Sequence, residues 1–122
     1  MLEIYEIIWR DEQVTGWLEY DTSKDKFQAY LREGEQGNPR ALFGVTKTDS
    51  VIDDKRVRFY ISECVVPKTR ENIDDILKHL KLPYYDQWEI YKRNNGKNAS
   101  DYASIRLLDI VHDKDFFYPG TL

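Results

Sequence analysis

Residues able to do chemistry on their own are few in this chain and stand far apart. One cysteine, Cys64, and two histidines, His79 and His112, are the entire thiol and imidazole inventory of 122 residues. A nucleophilic thiolate needs a neighbour that lowers its pKa. Cys64 instead stands between Glu63 and Val65, with no glycine elbow or oxyanion-hole motif beside it, and reads as a structural cysteine. His79 sits between Lys78 and Leu80 at the edge of an apolar stripe and reads the same way. His112 with Asp113 and Asp115 offers one imidazole and two carboxylates, but a zinc or iron site needs further ligands from elsewhere, so neither a metal nor a cofactor is expected. The adjacent pairs Asp53-Asp54 and Asp74-Asp75 diverge on a strand or a helix and make no acid/base dyad. Gly34-Glu35-Gln36-Gly37 lacks the following Lys-Ser/Thr of a phosphate loop. The expectation is a chain that is not an enzyme.

One cluster is dense. Tyr84, Tyr85, Trp88, Tyr91, Lys92, Arg93 and Lys97 interleave aromatics with cations. Such residues stack bases and hold phosphates, they are enriched at protein interfaces, and they also pack cores. Trp88 and Tyr91 lie three apart, so both can face inward on a short helix. The outward members, Tyr85 and Arg93 foremost, are then expected to form a partner-binding surface. A net charge of -4 gives no long-range attraction to nucleic acid or anionic membranes. The expected partner is therefore a protein, with nucleic acid second and membrane excluded. The oligomeric state is not legible in the sequence.

The elements that must position this cluster follow from periodicity. Leu2 to Arg10 is rich in β-branched and aromatic residues, and Val14 to Tyr20 follows after Asp11-Glu12-Gln13, which predicts a hairpin. Asp21 to Lys26 is a polar turn, and Phe27, Ala29 and Leu31 alternate with Gln28 and Tyr30 in a third strand. Arg32 to Arg40 is a turn-rich loop before the apolar Ala41-Leu42-Phe43. Val57, Phe59 and Ile61 alternate with Arg56, Arg58 and Tyr60, which predicts a fourth strand over 56–66, ended by Pro67. Ile73, Ile76, Leu77 and Leu80 then recur at helical spacing, with Thr69 as expected N-cap and Pro83 as stop; these four are expected to seal the core. A second helix starts at Asp86 and ends at Gly96, and 105–111 returns as a strand before the tail 112–122. The fold expected is α+β, one two-layer domain over 1–122. Residues 1–66 are mainly β and 67–96 are a helix pair covering one face of an antiparallel sheet of about five strands.

Composition agrees with a folded chain. Apolar residues are slightly scarce, but three Trp, nine Tyr and five Phe are more aromatic surface than disordered segments carry. A lone cysteine and the lack of a signal-like start suggest the reducing cytoplasm, where the glycosylation pattern Asn98-Ala99-Ser100 has no consequence.

The stretch Cys64 to Leu77, then Leu80-Lys81-Leu82, Tyr85-Asp86, Trp88-Glu89-Ile90 and Asn95 to Tyr102, resembles small proteins of low-GC Gram-positive bacteria and their mobile elements that accompany HipA-like serine kinases. The matching pattern is a proline-basic-arginine start, an acidic helix, a leucine-tyrosine-aspartate turn and a glycine-serine-aspartate-aromatic close. It covers roughly Val57 to Leu108, without a tryptophan near its end, and carries over no catalytic residue. The resemblance implies a non-enzymatic accessory module, a partner of a kinase or of a toxin-antitoxin system. The alternative expectation is a phage- or element-encoded inhibitor of a host nuclease complex, such as an anti-CRISPR protein. A small enzyme of unknown class comes third.

Overall fold

In the computed structural model, residues 1–9, 13–31, 51–97 and 103–112 are described. The expected loop at Arg32 to Arg40, the apolar Ala41-Leu42-Phe43, the Asn98-Ala99-Ser100 pattern, Asp113 and Asp115, and most of the tail lie outside the described residues. Among the described residues eight elements follow in order: β1 (Leu2–Trp9), β2 (Gln13–Asp21), β3 (Lys26–Leu31), β4 (Val51–Ile52), α1 (Asp54–Cys64), α2 (Ile73–His79), α3 (Gln87–Arg93) and β5 (Ala103–Val111). The strands form one antiparallel sheet in the order β4-β3-β2-β1-β5. The fold is α+β, and among the described residues no helix is long and apolar enough to cross a membrane.

The meander β1-β2-β3 forms where alternation predicts it. Pairing of Tyr5 with Leu18, Leu18 with Ala29, and Tyr20 with Phe27 puts their side chains on one face, where all but Tyr20 are buried. The β2-β3 turn closes through Asp21, whose carboxylate accepts from the amides of Ser23 and Lys24, and through Asp25 at φ 52. Thr15 has no partner on β1, because Ile7 pairs with Gly16 and Ile8 with Val14; its hydroxyl donates to the Ile7 carbonyl at 3.3 Å, filling the bulge. At Gly16 a Cβ would stand 2.4 Å from the Tyr30 carbonyl oxygen, so only glycine fits there. Burial is not confined to this face of the sheet. On the other, Leu2, Ile4, Glu19 and Asp21 are buried, and Trp17 stacks on Tyr30 at 5.9 Å.

The segment expected as a fourth strand over 56–66 is helix α1, a correction with a clear physical cause. Val57, Tyr60 and Ile61 with half-buried Cys64 occupy i, i+3, i+4 and i+7, and this stripe enters the core. The alternating Val57, Phe59 and Ile61 pattern coincides with it by chance at two of three positions. Phe59, the third, is 65% exposed. Asp53 caps the helix by accepting from the Arg56 amide at 3.0 Å, and Asp54 accepts from the Phe27 amide at 2.8 Å, tying the first turn to β3. The fourth strand is instead the two-residue β4, with Ile52 opposite Ala29.

Helix α2 also departs from expectation. Ile73, Ile76, Leu77 and Leu80 are all half-buried rather than sealed in the core, and only the Leu77 and Leu80 side chains are packed against the core cluster. The sheet is covered by α1 and α3, because two amphipathic helices already fill that face and a third can sit only at its margin. Asn72, not Thr69, takes the N-cap position, with no side-chain capping bond. Termination comes at Lys81 with φ 60 and the Leu82 amide bonded to the Leu77 carbonyl, before Pro83 is reached. Helix α3 behaves as read: Asp86 accepts from the Glu89 amide at 3.0 Å, and Gly96 at φ +68 ends the turn.

Chemical denaturation tests the helical assignment of α1. Ile61→Ala is expected to cost about 2 to 5 kcal/mol, and Phe59→Ala to stay within about 0.5 kcal/mol. Comparable losses at both positions would return Phe59 and Ile61 to one face, as on a strand.

Candidate functional site

The sequence cluster around α3 divides into core and surface. Trp88 and Tyr91 are 8% and 3% exposed, so both are mainly core residues, and of the two only Trp88 lines a cleft. Tyr5 and Phe27 stand edge-on to Trp88 at 5.3 and 5.0 Å, Tyr20 lies at 5.5 Å, and Tyr91 stacks on it at 6.0 Å. Its indole N–H has no hydrogen-bond partner, so the ring is held by packing alone. Lys92 is half spent: its ammonium lies 5.1 Å from the Trp88 ring centre and 3.0 Å from Glu89. Tyr85, expected to point outward, is half-buried, and its hydroxyl donates to the Val66 carbonyl at 2.8 Å. It braces the segment after α1. Tyr84, 64% exposed, is the outward aromatic in its place, and Arg93 and Lys97 are exposed as expected.

Where the β2-β3 turn, α1 and the start of α3 meet, the chain forms a cleft of about 340 Å³. Its walls are aromatic, from Tyr20, Phe27, Tyr85 and Trp88; its polar groups are Asp25, Arg58, Asp86 and Gln87. Arg58 is the organising group. Its Nε donates to Asp54 at 2.9 Å, its terminal nitrogen to the Asp25 carbonyl at 2.6 Å and carboxylate at 3.3 Å, and its guanidinium carbon lies 5.0 Å from the Phe27 ring centre. Burial opposes this charge, but the bonds to Asp54 and Asp25 outweigh it and hold the pKa above the ordinary arginine value.

The Tyr20 hydroxyl donates to Asp25 at 2.8 Å. That bond first, and Arg58 after it, hold the Asp25 carboxyl below its ordinary range. Desolvation and the same carboxylate push Tyr20 up to about 12. Deeper in the core, burial and the 2.7 Å bond to Glu3 push Tyr5 up as well. The cleft lining holds two carboxylates, Asp25 and Asp86, and one guanidinium, with Lys26 also near enough to act on Asp25, and the side chain of Asp25 is 73% exposed at the mouth. Aromatic walls with excess carboxylate suit a cation. Tyr20, Asp25, Phe27 and Arg58 were missed in the sequence because they come from three separate elements. Only the polar turn at Asp25 was visible beforehand, as a turn.

Cys64 is half-buried on α1, His79 is exposed on α2, and His112 is exposed just past the end of β5. Among the described residues no three His, Cys, Asp or Glu side chains converge as metal ligands would. Comparison with protein-family models, with curated proteins and with solved structures finds no match to this chain.

Two measurements check this packing. Trp88→Ala is expected to cost about 3 to 5 kcal/mol, and Trp88→Phe distinctly less, because the N–H it removes has no partner to lose; equal losses would reveal a hidden acceptor. The Tyr20 phenol is expected to titrate near 12, above the ordinary 10.0, and its difference signal to vanish in Tyr20→Phe. Since the folded pKa is the higher one, the stability this phenol contributes is complete below pH 10 and is lost as pH rises towards 12. Tyr20→Phe should flatten that part of the alkaline unfolding profile.

Proposed function

We propose that this chain is a non-enzymatic protein-binding module whose cleft between the β2-β3 turn and α3 receives a basic side chain of its partner. In line with the resemblance, the partner class is the kinase or toxin component of a bacterial or mobile-element system, met in the cytoplasm. One observation carries the reading: four aromatic rings and an excess of carboxylates line one open cleft, and its single guanidinium is already engaged by Asp54 and Asp25. A lysine or arginine entering it meets the half-buried rings of Tyr20 and Tyr85 for its stem and Asp25 for its donors. Tyr84, exposed one residue before Tyr85, supplies an aromatic contact outside the cleft, of the kind that dominates interface energies.

Calorimetric titration with an array of peptides that differ only in a central Lys, Arg, Gln or Glu tests this. Peptides with the basic residue are expected to bind and those with Glu to fail. Asp25→Asn keeps an acceptor for Tyr20 and should weaken binding at least tenfold, about 1.4 kcal/mol, while leaving the fold intact. Indifference to the central residue, or full affinity in Asp25→Asn, would sink the assignment.

A further inference from the structure

A second hollow opens beside the cleft. Between α2 and α3 the chain leaves a space of about 330 Å³, walled by Val66, Ile76, Leu80 and Ile90 and rimmed by Asp75, His79 and Asn94. It exists because α2 sits at the margin of the helix layer. Leu77 and Leu80 pack against the core cluster, whereas Ile76 stays half-buried with the hollow in front of it. Opposite, Ile90 is 1% exposed and fixed in the core, so the wall that α3 contributes is rigid. Aliphatic walls with no atoms against them forfeit dispersion contacts, and they offer water nothing to bond to.

Hollow and cleft share a wall. Tyr85 lines the cleft, and its hydroxyl donates at 2.8 Å to the carbonyl of Val66, which lines the hollow. Helix α3 and the Asp86 cap before it border both, the cleft with Asp86, Gln87 and Trp88 and the hollow with Ile90 and Asn94. One tyrosine side chain therefore parts a polar site from an aliphatic one. Extended chain advances about 3.3 Å per residue, so a few residues carry a segment from one side of Tyr85 to the other. Charge does not reverse along the way. The lining of the hollow holds Asp75 and no lysine or arginine, as suits a segment that presents a basic side chain next door.

We propose that the hollow is the second subsite of the partner segment that the cleft receives, and that it takes an aliphatic side chain a few residues along from the basic one. This rests on the cleft reading above and adds to it a sequence requirement, a basic and an aliphatic residue at one fixed spacing. The basic residue supplies the polar contact with Asp25, and the aliphatic one fills a space whose four walls match it in kind. A basic residue alone would leave half of the paired site empty.

Calorimetric titration of the full chain tests the spacing. The peptides carry a central lysine and one leucine, placed about two to five residues to either side, with serine elsewhere. At one placement leucine is expected to tighten binding about tenfold over serine, and at the others to change it little. Ile76→Ser, with its fold checked by circular dichroism, should erase that gain. Ile76→Phe, which fills the hollow from its own wall, should erase it too and serves if the serine variant unfolds. Binding that needs the lysine but gains from leucine at no spacing, or at all of them equally, overturns the proposal and leaves the cleft reading standing. So does a gain that survives in both folded Ile76 variants. Binding that needs the leucine but not the lysine overturns the cleft reading and with it the coupling of the two sites. Sedimentation of the chain alone covers the other occupant: a dimer that Ile76→Ser dissociates puts a second copy in the hollow and overturns the proposal.

Discussion

The fold hangs on the docking of Trp88 into the sheet. One indole brings the short helix α3 into contact with Tyr5 of β1, Tyr20 of β2 and Phe27 of β3, so three strands and a helix are joined at one ring. An isolated seven-residue helix is far too short to be stable in water, and α3 persists because this contact and Ile90 and Tyr91 beside it bury its inner stripe. At its other end the geometry is equally constrained. A Cβ on Gly96 would stand 2.9 Å from the Tyr91 hydroxyl and 3.0 Å from Ile105, and the Ile105 amide donates to the Asn95 carbonyl at 2.8 Å. The helix is thereby stapled to the strand that returns the chain to β1. The cleft inherits its position from the first turn of α3, and the start of β5 from its exit.

Much of this was legible in the residues. Alternation located β1, β2 and β3, and Asp86 and Gly96 marked the two ends of α3, because these are local signals that one stretch of chain carries by itself. The failures share a cause. Over 56–66, a period of two and a period of 3.6 both select Val57 and Ile61, and the choice depends on whether Phe59 or Tyr60 is buried, which other parts of the chain decide. Asp53 is a readable N-cap, but a strand over 56–66 leaves it no helix to cap. The stripe of α2 was real, yet a stripe states that a helix wants cover and not that the core has room for it.

The cleft was illegible for the same reason carried further. Asp25 and Arg58 meet across 33 residues of sequence, and neither belongs to a motif. Once α1 is misread as a strand, Arg58 falls into an alternation and its partners vanish. In the helix, Asp54 and Arg58 are four apart and pair within one turn. The local pair then aims the guanidinium at the β2-β3 turn, so a secondary-structure error became a site error.

Among the described residues, the aromatic richness that suggests an interface is largely consumed by folding. Tyr5, Trp9, Phe27, Tyr60, Trp88 and Tyr91 are buried, and a chain of this length whose apolar residues are sparse needs their large areas to offset its conformational entropy. What remains for recognition is what the two covering helices cannot reach. Phe59 is on the outer side of α1, Tyr84 precedes α3, and Leu107, Leu108 and Ile110 lie on the edge strand. Exposed apolar groups are a cost in water, and scattered single ones need no explanation. Along β5 the exposed Leu107, Leu108 and Ile110 follow a start that the turn after α3 already covers, since the Ile105 amide is bonded to the Asn95 carbonyl.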